Sequence, residues 1–64
     1  MTRIEFLAEL SRKLDKLPKE EFENVLRYYD EVFLDAGVDK ESETAENLGS
    51  IDEIARQILI DNNI

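Results

Sequence analysis

The sequence predicts an all-α domain, a compact bundle of three main helices and one short one. No stretch alternates β-branched or aromatic residues with the period of two that a strand needs. Apolar residues instead recur at steps of three and four along most of the chain, and only two glycines and one proline interrupt them. Sixty-four residues have interior for one hydrophobic core, so residues 1–64 are expected to form a single domain.

The first helix is expected over residues 3–15. Thr2 and Glu5 have capping-box spacing, and Phe6, Leu7, Leu10, Leu14 and Leu17 form the inward stripe. Pro18 ends that run, because the residue before a proline is pushed away from helical geometry, and it suits the first turn of a second helix over 18–36. Glu20 and Glu21 then sit where the helix dipole favours acids. Phe22, Val25, Leu26, Tyr29, Val32, Phe33 and Ala36 make the longest apolar stripe in the chain, and Gly37 supplies the stop. "VDKESE" reads as a polar connection. A short helix over 42–48 follows, with Ala45 and Leu48 inward and Gly49 at its end. Ser50 and Glu53 repeat the capping-box spacing, and Ile51, Ile54, Ala55, Ile58 and Leu59 form the stripe of a last helix over 51–61. This helix is expected to close the open side of an antiparallel hairpin made by the first two.

Composition removes most chemistry. With no cysteine and no histidine, the chain has no thiolate nucleophile, imidazole base, disulfide or zinc site of the usual kind. Its longest apolar runs are "VFL" and "ILI", far short of a signal peptide or membrane span, so a soluble, cytoplasmic chain is expected. The net charge of −8 repels nucleic-acid phosphates and anionic lipid, so neither is expected as a direct partner. Residues 1–27 hold six acids and six bases, whereas residues 28–64 hold ten acids and two bases. The whole imbalance therefore lies in the second half, as a solvated face or as a docking surface for a basic partner.

Four features invite a chemical reading. Ser50, at a helix start in a small acidic protein, resembles the serine that carries the prosthetic arm of acyl carrier proteins. Too little chain follows it for the helices that pack around such an arm, and Gly49 stands where an acid is expected. A helix cap is the better reading of Ser50. Asp35, Asp39, Glu41 and Glu43 lack the alternating register of a calcium loop, so no metal is expected there. The acid pairs Glu20-Glu21 and Asp52-Glu53 serve helix dipoles and are not expected to form a catalytic dyad. Tyr28 lies about 100° around the helix from Tyr29. Its ring either lies across a neighbouring helix or anchors another protein.

"LRYYDEVFLDAG", followed by "ENLGSIDEIARQIL", resembles the HAAS signalling domain, a small helical family of Gram-positive bacteria. The residues carrying the resemblance are Phe6, Leu7, Glu9, Leu10, Leu14, Leu17, Pro18, Glu20 and Glu21; Tyr28, Tyr29, Glu31, Asp35, Ala36 and Gly37; and Leu48, Gly49, Ile54, Ala55 and Ile58. The chain departs at residue 50, where many members have an acid followed by proline, a change that keeps the capping role. The resemblance implies a non-catalytic signalling domain without a cofactor. It also implies a cytoplasmic N-terminal position in proteins that usually continue into membrane helices, often encoded beside a PadR-like transcriptional regulator. The interaction surface expected from the residues combines Tyr28, Glu31, Leu34 and Asp35 with the acids Asp39, Glu41, Glu43 and Glu46. Its partner would be such a regulator or a second copy of the chain. A purely structural oligomerisation role is the remaining alternative.

Overall fold

The computed structural model describes residues 1–64 and is all-α: α1 (Arg3–Lys13), α2 (Lys19–Ala36), α3 (Glu41–Leu48) and α4 (Ile51–Asp61), with a single 3₁₀ turn at Val38–Lys40. None of these helices is long and apolar enough to cross a membrane.

Each helix starts and stops for a local reason. Thr2 Oγ1 accepts from the Glu5 N–H at 3.1 Å and Glu5 Oε1 accepts from the Thr2 N–H at 2.9 Å, closing a full capping box on α1. α1 ends two residues sooner than its periodicity predicts. The Leu14 N–H is shared between the carbonyls of Leu10 (3.1 Å) and Ser11 (3.2 Å), and the chain tightens into a turn that points both Leu14 and Leu17 inward. Pro18 takes the capping position of α2 rather than its first turn, with extended backbone (φ −55°, ψ 147°) and its carbonyl accepting from the Phe22 N–H at 2.9 Å. Gly37 (φ +104°) ends α2 with its N–H on the Phe33 carbonyl, and Gly49 (φ +90°) ends α3 in the same way on Ala45. The stretch read as a polar connection is helical, since the 3₁₀ turn runs straight into α3.

α1 and α2 are antiparallel. Phe6, near the start of α1, meets Phe33 and Tyr29 in the second half of α2, and the Arg3 guanidinium pairs with Asp30. The interior consists of Phe6, Leu10, Leu14, Leu17, Phe33, Ala45 and Ala55, with Thr44 beside them. Thr44 is the one core position that the apolar pattern omits.

The open side of the hairpin is closed differently from the sequence expectation. α4 packs mainly on α1, while α3 packs on both α1 and α2. Small residues on α3, Thr44 and Ala45, are what allow that close approach. As a result Phe22, Val25, Leu26, Tyr29 and Val32 of α2 remain only half-buried. Ala36, expected to face inward, is exposed. α2 has 18 residues against 11 in α1, and Ala36 is its last residue, at the end of the covered stretch.

Phe6 and Ile4 sit two residues apart on α1 but differ completely in burial, at 0% and 67% exposed. Phe6→Ala is expected to cost about 3–5 kcal/mol, enough to unfold much of so small a domain, whereas Ile4→Ala should stay within about 0.5 kcal/mol of the parent. Urea unfolding followed by circular dichroism measures both.

Candidate interaction surface

The outward face of α2 carries two large apolar side chains in open solvent, Tyr28 at 62% and Leu34 at 59% exposure. At about 100° per residue, Tyr28, Asp35 and Glu31 fall within an arc of about 60°, and Leu34 lies about 60° beyond Glu31. Glu31 and Asp35 are exposed and form no ion pair. The Tyr28 ring does not lie across another helix. It stands edge-on to Tyr29 of its own helix, with centroids 4.9 Å apart and planes at 87°, which holds the ring in place while leaving most of it uncovered. Burial, and secondarily the neighbouring Tyr28, pushes the Tyr29 phenol above its ordinary value.

The acids expected to extend this face do not stay together. Asp39 is exposed on the 3₁₀ turn that directly follows α2, and Glu43 is exposed on α3. Glu41 is turned inward instead: its Oε1 accepts from the Arg3 N–H at 3.0 Å, so it caps the first turn of α1 from α3. It is half-buried, and so does not take the place in the interaction surface that the sequence predicts for it. Glu46 lines a groove with residues of α1 and α4 in which α2 takes no part. The physical reason is the helical state of the segment. An extended connection would array these acids along one edge, whereas α3 rotates them about 100° per residue to different sides. Asp35, Asp39, Glu41 and Glu43 likewise do not converge on one point, since Glu41 is committed to Arg3.

The groove between α1, α3 and the start of α4 has a volume of about 520 Å³ and an apolar lining of Met1, Phe6, Ala45 and Ile51. On its rim Lys13 Nζ lies 2.6 Å from Asp52 Oδ1 and 4.0 Å from Glu9 Oε2. The hydrogen bond and charge of Asp52, aided by Glu9, hold the Lys13 ammonium above the ordinary lysine value of 10.5. Sequence patterning offered no sign of this groove, because its walls come from segments far apart in the chain.

The HAAS family model matches residues 5–57, from the first turn of α1 well into α4. The chain belongs to the HAAS family. No curated protein and no solved structure shows significant similarity to it. The region that defines this HAAS domain contains the whole outward face of α2, the capping acid Glu41 and Ser50.

In this HAAS chain Ser50 Oγ accepts from the Glu53 N–H at 3.3 Å, which makes it the N-cap of α4. The second half of the expected capping box is not formed. The Glu53 carboxylate turns toward Arg56 instead, at 3.7 Å. Ser50→Ala is therefore expected to cost about 0.5–1 kcal/mol and Ser50→Asp close to nothing, as read by thermal unfolding.

A pH series tests the Lys13–Asp52 pair. Lys13 is raised in the folded state, so its contribution is fully present below 10.5 and is lost as pH climbs through the folded value. Tyr29 is raised too and adds a loss of the same sign above its ordinary 10.0. Asp52→Asn should flatten the alkaline fall in stability without abolishing it, because the Tyr29 part remains. Urea midpoints on either side of pH 10.5 measure the difference, and identical slopes in parent and variant would count against the pair.

Proposed function

We propose that this HAAS domain is a non-catalytic regulatory domain that works by docking a basic protein partner on the outward face of α2. The observation that carries the reading is the pairing of two exposed apolar side chains, Tyr28 and Leu34, with acids that have no cation of their own, Glu31, Asp35 and the adjoining Asp39. An exposed tyrosine held by its neighbour provides a desolvated anchor at small entropic cost, and unpaired acids around it speed encounter with a positive surface.

The family resemblance gives the partner a concrete form. A PadR-like winged-helix regulator is basic where it meets DNA, and its capture by this acidic face would keep it from its operator. The domain, residues 1–64, would do this at the cytoplasmic side of a membrane protein in a Gram-positive cell. Self-association through the same face is disfavoured, since two copies would bring Glu31, Asp35 and Asp39 against one another. An acyl-carrier role is disfavoured by the engagement of Ser50 as a cap.

The test is the affinity of the domain for the PadR-like regulator of its own host, by isothermal titration. Tyr28→Ala should weaken binding by about tenfold or more, as expected for an aromatic anchor. The triple change of Glu31, Asp35 and Asp39 to their amides should slow association and flatten its dependence on salt. Neither change should alter the fold. No binding by the parent, or binding unaffected by both variants, refutes the proposal.

A further inference from the structure

The groove bounded by α1, α3 and the start of α4 lies apart from the proposed docking face and has its own chemistry. Three carboxylates reach it, Glu9 from α1, Glu46 from α3 and Asp52 from α4, against the single ammonium of Lys13. Two of the three are already spoken for. Asp52 holds Lys13, and Glu9 pairs with Arg12 and, more distantly, with Lys13. Glu46 has neither an ion pair nor a side-chain hydrogen bond.

Below this rim the walls are apolar. Ala45 and Ile51 line the groove, and the Met1 side chain stands at it 53% exposed. An occupant that completes the site must therefore carry an aliphatic stem long enough to cover Met1 and Ala45, and a cation at its tip for Glu46. That combination describes a long basic side chain entering from outside. Arginine suits it better than lysine. A planar guanidinium is more weakly hydrated than an ammonium, so it loses less on leaving water for an apolar groove, and its paired N–H donors match the two oxygens of the Glu46 carboxylate.

We infer that this groove is a second docking site, one that receives an arginine side chain, flanked by an apolar residue, from a partner protein. The site is independent of the α2 face, because no residue of α2 lines it.

The experiment uses the full 64-residue chain labelled with nitrogen-15 and the blocked dipeptide acetyl-Leu-Arg-N-methylamide, with the citrulline dipeptide as its uncharged isostere. Saturable shifts at the amides of Ala45, Glu46, Gly49 and Ile51, absent with citrulline, are the expected result. Glu46→Gln should weaken binding by about threefold or more, the scale of one exposed ion pair, and leave the melting temperature unchanged because Glu46 has no structural partner. Glu31→Gln should leave the dipeptide affinity as it is. Shifts that do not saturate, that persist with citrulline, or that survive Glu46→Gln overturn the inference. Shifts centred on Tyr28, Glu31 and Leu34 and weakened by Glu31→Gln also overturn it, while leaving the α2 docking face standing.

Discussion

The structure depends on how α1 seats Phe6. Its ring is fully buried, 5.1 Å from Phe33 and 6.0 Å from Tyr29, and Leu10 and Leu14 continue the same buried line along the helix. Two of the four largest fully buried side chains, Phe6 and Leu10, therefore come from one helix of 11 residues, and a third, Leu14, is the residue that caps its end. In so short a chain this column is most of the available interior, so every other helix must reach it to be stabilised. All three do: α2 along one side, α3 through small residues and α4 through Ala55 and its isoleucines. Polar contacts reinforce the same helix, with Asp30 on Arg3, Glu41 on the Arg3 amide and Asp52 on Lys13, one from each partner helix.

This arrangement determines what remains free. Because α1 is the hub and is shorter than α2, the long helix is covered on one side only, and its stripe is buried by half along most of its length. Tyr28 and Leu34 lie outside that cover altogether. The charge asymmetry then acts on the exposed part, since residues 28–64 supply ten acids and two bases. A partner with a positive surface meets apolar anchors and a favourable field at one place, which is the physical content of the proposed docking role.

Much of the fold was legible in the sequence because its signals are local. Thr2 with Glu5, Pro18, Gly37, Gly49 and Ser50 mark helix ends through interactions spanning three or four residues, and the stripes on α1, α2 and α4 follow the helical period. What escaped involves choices that only tertiary structure makes. Glu41 was legible as an exposed acid, but its partner is 38 residues away, at the start of α1. Glu53 had the spacing to complete a capping box and met Arg56 instead, an equally local alternative that spacing does not rank. Thr44 was passed over because its residue type is polar, although its small size is what the α3 contact needs. The α2 part of the candidate surface was readable as helix geometry. The acids after Gly37 were not, because their facing depends on where α3 begins.

Because every other helix packs on α1, α1 should be the last element to give way, which native-state hydrogen exchange reads out. The amides of Leu10 and Leu14 should exchange only through global unfolding, with the same free energy and the same denaturant dependence as the whole domain, while those of α3 and the last turn of α4 open at lower cost. Amides of α1 that exchange by local opening, while the middle of α2 remains protected, would instead give the organising role to α2.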